Sequence, residues 1–360
     1  MLTLPGYKLT EAIHEGVKTV IYRGVKSPEH TSVIIKTLKA EYPTLEEITR
    51  LRHEYKIIQP LNIEGIGKAI GLENYKNGLA LILEDFEGDS LKKLMGEQKI
   101  SILAFLSLAR QLAETLHELH NNHIIHKDIK PQNILIDPKK WIVKLIDFSI
   151  ASRLTRETPA ISSPDLLEGT IAYISPEQTG RMNRSIDYRT DFYSLGVTFY
   201  EILTGELPFQ SKEPLELVHC HIAKTPVSPH QMNSEIPLAV SDIVMKLMAK
   251  TAEDRYQSAL GIKADIETCF NQLMSSGQII DFVPGNMDKS GQFLIPQKLY
   301  GREAEVAELL ATFERVAAGT TEMMLVSGYS GIGKTSVVNE VHKPIVRQRG
   351  YFIGGKFDQI

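Results

Sequence analysis

His126-Lys127-Asp128-Ile129-Lys130-Pro131-Gln132-Asn133, followed by Asp147-Phe148-Ser149, is the stretch that decides how this chain reads. The apolar run at 142–146 between the two groups reads as a strand. Together they bring two carboxylates, an amide and a lysine to one place. One carboxylate can orient or deprotonate an attacking hydroxyl. The second carboxylate and the amide can hold Mg²⁺ against phosphates, while the lysine neutralises the transferring group. Phosphoryl transfer from ATP needs those parts. Acids that merely cap turns on a surface loop would require neither this spacing nor the strand.

Upstream, residues 7–39 alternate apolar and polar, and Val20-Ile21-Tyr22 and Val33-Ile34-Ile35 predict strands. Leu45, Ile48, Leu51, Tyr55 and Ile58 recur at helical spacing and predict an amphipathic helix over 44–58. A short strand is expected at 79–83, and a long helix over 101–120 with Ser101 as N-cap. Downstream, helices are expected at 192–203, 239–249 and 256–273. Strands come first and helices later, which is an α+β arrangement.

The central segment resembles the catalytic and metal-binding loops of eukaryotic-type serine/threonine protein kinases, and the resemblance extends over about 7–270. It implies a two-lobed kinase fold over 7–272, with an N-lobe at 7–84 and a C-lobe at 85–272. Lys36 then matches the strand lysine that contacts ATP phosphates, and Glu54 the helix acid that pairs with it. Glu47, about two turns earlier, is the other candidate. Ile13, Gly16 and Val20 match the loop and strand that cover the nucleotide. Leu83-Glu84-Asp85-Phe86 resembles the hinge, where Glu84 and Phe86 would hold adenine through their backbone. Asp128 matches the catalytic aspartate, Lys130 the γ-phosphate lysine, and Asn133 with Asp147 the two Mg²⁺ ligands. Ser175-Pro176-Glu177 resembles the end of an activation segment, with Thr170 near the catalytic aspartate. Asp191 matches the anchor beneath the catalytic loop, and Arg255 the partner of Glu177. The expected cofactors are ATP and Mg²⁺, and the expected partner is a protein carrying Ser or Thr, this chain included.

Some positions depart from the family pattern. Ser149 stands where glycine is usual, which reduces backbone freedom. Lys127 replaces an arginine and loses its bidentate fork. Only Gly16 of three loop glycines is kept, with His14 and Thr19 at the others. None of these removes a group expected at Mg²⁺ or the γ-phosphate. The alternatives are a pseudokinase that binds ATP, or a regulatory domain for the module that follows. Thr155, Thr158, Ser162 and Ser163 are hydroxyls that phosphorylation could reach. His219-Cys220-His221 reads as packing, since adjacent positions do not face one point.

Turn formers at 275–277 and 284–291 predict a linker over 273–297. A helix is then expected from Gly301-Arg302-Glu303 to about 318, and a strand at 323–327. That strand runs into Gly328-Tyr329-Ser330-Gly331-Ile332-Gly333-Lys334-Thr335. This is the G-x-x-x-x-G-K-[ST] phosphate loop, followed by an expected helix at 335–346 and strand at 351–355. Gly328, Gly333, Lys334 and Thr335 would form a second nucleotide site, with Lys334 on the phosphates and Thr335 on Mg²⁺. The order of kinase, linker and P-loop resembles the N-terminal part of bacterial, especially cyanobacterial, multidomain kinases. In those, a signal-transduction ATPase and sensor histidine-kinase regions follow, and that resemblance makes 298–360 the start of a P-loop ATPase domain whose downstream domains lie outside this chain.

Bulk composition is that of an ordinary soluble globular protein. A net charge of −4 over 360 residues gives no reason to expect nucleic acid as a partner. The two cysteines, Cys220 and Cys269, form no C-x-x-C pair and suit a reducing compartment, so a cytoplasmic location is expected. No run approaches the roughly 18 apolar residues of a membrane span.

Overall fold

The computed structural model describes residues 3–153, 171–180, 184–289, 301–329 and 332–341. Its first layer is a six-stranded antiparallel sheet. The strands are β1 (Thr3–Leu4), β2 (Tyr7–Glu15), β3 (Thr19–Lys26), β4 (Thr31–Leu38), β5 (Ala69–Tyr75) and β6 (Gly78–Glu84), in the order β1-β2-β3-β4-β6-β5. Helix α1 (Leu45–Ile58) packs on one face of it. Alternation along β6 assigns the faces: Leu79 and Leu81 cluster with Leu51 of α1, while Ala80 and Ile82 cluster with Val33 and Ile35. Lys36 follows Ile35 on β4, opposite Leu81 of β6, and so shares the helix-facing side.

Helix α1 starts where a capping box starts it. Thr44 Oγ1 accepts from the Glu47 N–H (3.2 Å), and the Glu47 carboxylate accepts from the Thr44 N–H (2.9 Å). Glu47 is thereby committed to the cap. Two turns on, Glu54 is buried against the sheet.

The second layer is helical. A small sheet of β7 (Asp89–Ser90), β8 (Ile134–Asp137) and β9 (Ile142–Leu145) carries the loops at its ends. Helices α2 (Leu91–Glu97), α3 (Ile102–Asn121), α4 (Arg189–Thr204), α5 (Pro214–Ala223), α6 (Pro229–Met232), α7 (Leu238–Leu247) and α8 (Ala259–Ser276) form the lobe below. Ser101 caps α3 as expected, accepting from the Ala104 N–H. Helix α4 is buried from Arg189 through Leu203, which marks it as the lobe's centre. It ends at Gly205, whose φ of 79° is the left-handed stop that glycine takes without strain.

Gly196 lets α4 and α7 approach. A Cβ there would lie 2.8 Å from Leu247 Cβ and 2.8 Å from Met248 Cγ. Gly196→Ala is therefore expected to destabilise the protein by about 1–3 kcal/mol, despite alanine's better helix propensity. Thermal melting of the full chain checks the sign.

Past α8, residues 277–289 have no regular structure but stay on the lobe, with Ile279 and Phe282 packed against its core. Helix α9 (Glu303–Ala317) and the short α10 (Lys334–Asn339) follow. One expectation fails here: 323–327 is not a strand. Met323 and Leu325 are 95% and 87% exposed, and no neighbouring strand pairs with the segment among the described residues. An apolar run at strand period becomes a strand only by pairing its backbone groups. The strand expected at 351–355 and the end of the helix expected at 335–346 lie outside the described residues. No described helix is long and apolar enough to cross a membrane.

Candidate active site

Beneath the first sheet, three charged side chains meet. Lys36 Nζ lies 2.8 Å from Glu54 Oε2 and 3.0 Å from Asp147 Oδ1. Burial opposes the ammonium charge, but the two carboxylates outweigh it and hold Lys36 above the ordinary lysine value. Burial also opposes charge on Asp147, and the Lys36 ammonium overcomes it, so this carboxyl sits well below its usual range. Glu54 moves the other way. Its burial and the nearby Asp147 charge exceed what its share of one ammonium returns.

Asp147 adopts φ 65°, a left-handed conformation uncommon outside glycine. The same holds for Lys127, at φ 67°. The Lys127 bend is held from below. Asp191 is fully buried and accepts from the His126 N–H (2.9 Å) and the Lys127 N–H (2.8 Å), with His120 Nε2 2.9 Å away. Ser149 is not among the residues at positive φ, so the serine there causes no backbone strain.

His126 ties the two loops together. Its Nδ1 accepts from the Asp128 N–H (3.2 Å), which leaves Nε2 to donate to the Ile146 carbonyl (3.1 Å). Burial lowers its pKa and keeps the ring neutral, as that tautomer requires. Its ring also packs edge-on against Phe148, 4.6 Å between centroids.

Asp128 is the most informative side chain. Oδ2 accepts from Lys130 Nζ (2.7 Å) and Asn133 Nδ2 (2.8 Å). Oδ1 is buried and has no partner among the described residues. An uncompensated buried carboxylate oxygen is costly, so Oδ1 is available to accept from a further donor. Among the described residues, Asn133 makes two side-chain hydrogen bonds, both through Nδ2 and the second to the Asp128 carbonyl (2.9 Å), which leaves its Oδ1 available.

The nucleotide-facing positions are more dispersed. Val20 is buried in β3, Ile13 is 43% exposed in β2, and Gly16 turns between those strands with its N–H on the Thr19 carbonyl. Glu84 ends β6 and pairs with Lys144 on β9, and the Lys144 ammonium lies 5.4 Å above the Phe86 ring. Sequence gave no signal for Lys144, whose partner is remote in the chain.

Glu177 and Arg255 form a buried bidentate pair at 2.6 and 2.8 Å, and Thr190 donates to the same carboxylate (2.8 Å). Next to it, Gln178 Nε2 donates to the Lys127 carbonyl (2.9 Å) and so joins this segment to the catalytic loop. Neither Gln178 nor His53 stood out in the sequence. His53, beside Glu54, places Nε2 2.7 Å from the Ala151 carbonyl. Thr170 and the hydroxyls at 155, 158, 162 and 163 lie outside the described residues.

Elsewhere, Cys220 and His221 are packed inside α5, His221 against Tyr193 and Phe209. In the phosphate loop, Gly328 and Gly333 take positive φ (156° and 93°), and Lys334 Nζ folds back onto the Gly328 and Tyr329 carbonyls (2.7 and 2.8 Å). Thr335 is exposed on α10.

Residues 7–268 match the family model described as protein kinase domain, and 298–360 that described as AAA ATPase domain. A hybrid signal transduction histidine kinase of Dictyostelium discoideum is 34% identical over 347 residues, covering 72% of this chain and 10% of that protein. A probable serine/threonine-protein kinase of Clostridium perfringens is 32% identical over 263 residues, covering 72% and 38%. The serine/threonine-protein kinase PrkC of Bacillus subtilis is 29% identical over 267 residues, covering 74% and 40%. The chain thus spans well under half the length of each of these relatives.

Proposed function

Because the chain belongs to the protein kinase family, we propose that it transfers the γ-phosphate of ATP to Ser or Thr hydroxyls of proteins, its own included, in signal transduction. The uncommitted, buried Oδ1 of Asp128 carries this reading. A substrate hydroxyl is the donor it lacks. Lys130 and Asn133 fix Oδ2, so the carboxylate cannot rotate away and Oδ1 stays aimed.

In the proposed reaction, the hydroxyl donates to Asp128 Oδ1 while its oxygen attacks the γ-phosphorus. The bond from that phosphorus to the β–γ bridging oxygen breaks, and ADP leaves. The Lys130 ammonium neutralises charge on the transferring group. Lys36, held by Glu54, positions the α- and β-phosphates, and Glu84 with Phe86 offer the adenine their backbone. Asn133 Oδ1 and Asp147 suit Mg²⁺, being hard oxygen donors of the kind that ion takes along with substrate phosphates. When bound, Mg²⁺ would supply charge neutralisation across those phosphates. A kinase unit over 7–272 would precede the P-loop module over 298–360, where Lys334 would exchange its loop carbonyls for a phosphate.

Lys36→Met tests the ATP-positioning half. It removes the ammonium that both Glu54 and Asp147 contact. Transfer to a Ser/Thr peptide should fall about 10²-fold, the scale of losing one placed charge in a water-poor site. Unchanged turnover in that variant would remove Lys36 from the mechanism.

A further inference from the structure

The segment after α8 is expected from sequence to be a plain linker, yet it is fastened to the lobe. Asp288 Oδ2 accepts from the Gln257 N–H (2.5 Å), and Oδ1 accepts from Ser258 Oγ (2.7 Å). Ser258 is itself the N-cap of α8, accepting from the Gly261 N–H (3.0 Å). A carboxylate 30 residues downstream in sequence thus seals the start of that helix, where negative charge is favoured. Gly261 makes room for it: a Cβ there would lie 2.3 Å from Asp288 Oδ1. Nearby, the Gly285 N–H donates to Asp265 Oδ2 (2.6 Å), an oxygen that also accepts from Tyr256 Oη (2.6 Å). Gly285 sits at φ 83°, as glycine readily does. A segment that only connected two domains would need none of this.

The residue that Asp288 grips is a hub. Gln257 Oε1 accepts from Arg189 Nη1 (2.8 Å), its Nε2 donates to the Arg255 carbonyl (2.8 Å), and its carbonyl accepts from Tyr188 Oη (2.7 Å). Arg255 in turn donates to the Arg189 carbonyl (3.0 Å) and clamps Glu177. Gln178, next in sequence, holds the Lys127 carbonyl.

We propose that residues 279–289 form a clasp in which Asp288 is a positioning residue: through Gln257 it sets Arg189 and Arg255, and through them the segment at 171–180 beside the catalytic loop. The clasp lies beyond the residues that match the kinase family model and ahead of those that match the ATPase model. The effect on catalysis rests on the kinase reading above; the effect on the segment does not.

The test uses the full chain as wild type, Asp288→Ala, Asp288→Asn, Gly261→Ala and the Asp288→Ala/Gly261→Ala double variant. Hydrogen exchange is read at 171–180 and 184–191, with strand 33–38 as internal reference, beside transfer to a Ser/Thr peptide. Asp288→Ala and Gly261→Ala should each speed exchange at 171–180 and lower kcat about fivefold to tenfold, with the KM for ATP unchanged. The double variant should be no worse than either single one, because glycine at 261 matters only through Asp288. Asp288→Asn should recover most of both readouts. Its Oδ1 can accept from Gln257 while Nδ2 donates to Ser258 Oγ. Exchange at 171–180 that matches wild type in both single variants would overturn the clasp, as would a rise shared equally by 33–38. Wild type without transfer would refute the kinase reading alone, and the exchange readout would still decide the clasp.

Discussion

Asp128→Asn is expected to lower phosphate transfer by about 10³–10⁴-fold, the upper range for losing a positioned general base, with the fold and ATP affinity retained. The surroundings of the side chain dictate this outcome. Two donors, Lys130 Nζ and Asn133 Nδ2, converge on Oδ2. An asparagine must place its carbonyl oxygen there to satisfy both. Its amide nitrogen then occupies the Oδ1 position and presents a donor to a hydroxyl that itself needs an acceptor. Flipping the amide would set its N–H₂ against two donors. The substitution therefore preserves shape and inverts function. Steady-state kinetics of the variant beside wild type measure it, and a loss below about tenfold would mean that Asp128 does not touch the reacting hydroxyl.

Arg255→Met is expected to cost about 3–5 kcal/mol of stability, the penalty for stranding one member of a buried ion pair. Arg255 is 1% exposed, and the Glu177 carboxylate would lose both of its guanidinium contacts while keeping the Thr190 hydroxyl. Three backbone carbonyls, of Ala249, Arg189 and Lys250, would also lose their donor. Arg255→Lys should fall between the two, since a point charge cannot reproduce the fork. The pair also gives the protein an acid limb. Burial works against the Glu177 charge, Arg255 overcomes it, and the folded carboxyl lies below its ordinary value. A depressed folded pKa contributes stability that is present above the unfolded carboxylate value, near 4.3, and is lost as pH falls through the folded value. Urea midpoints across that range should drop more for wild type than for Arg255→Met. Equal midpoints for the two proteins at neutral pH would contradict the account.

The candidate site residues that the structure brings together were legible because they lie close in sequence or at helical spacing. Asp128, Lys130 and Asn133 fall within six positions, and Lys36 follows the β-branched run Val33-Ile34-Ile35. Sequence favours Glu54 over Glu47, which sits about two turns earlier on the same helix. The capping box settles the choice by committing Glu47 to Thr44. Backbone conformation left no trace in the sequence: neither Lys127 nor Asp147 advertises a left-handed φ, and the carboxylate that holds the Lys127 N–H, that of Asp191, lies 64 positions away. Contacts across long separations were equally hidden, including Gln178 on Lys127 and Asp288 on Gln257. At 323–327 a local apolar pattern promised a strand that only pairing could have made.

The central claim is that Asp128 Oδ1 receives a substrate hydroxyl. Its most direct measurement is transfer of labelled γ-phosphate from ATP with Mg²⁺ by the full chain, wild type beside Asp128→Asn, with the label traced to individual residues. Label on Ser or Thr that depends on Asp128 is the result this structure predicts. Equal label from both proteins, or none from wild type while it still binds ATP, would contradict it.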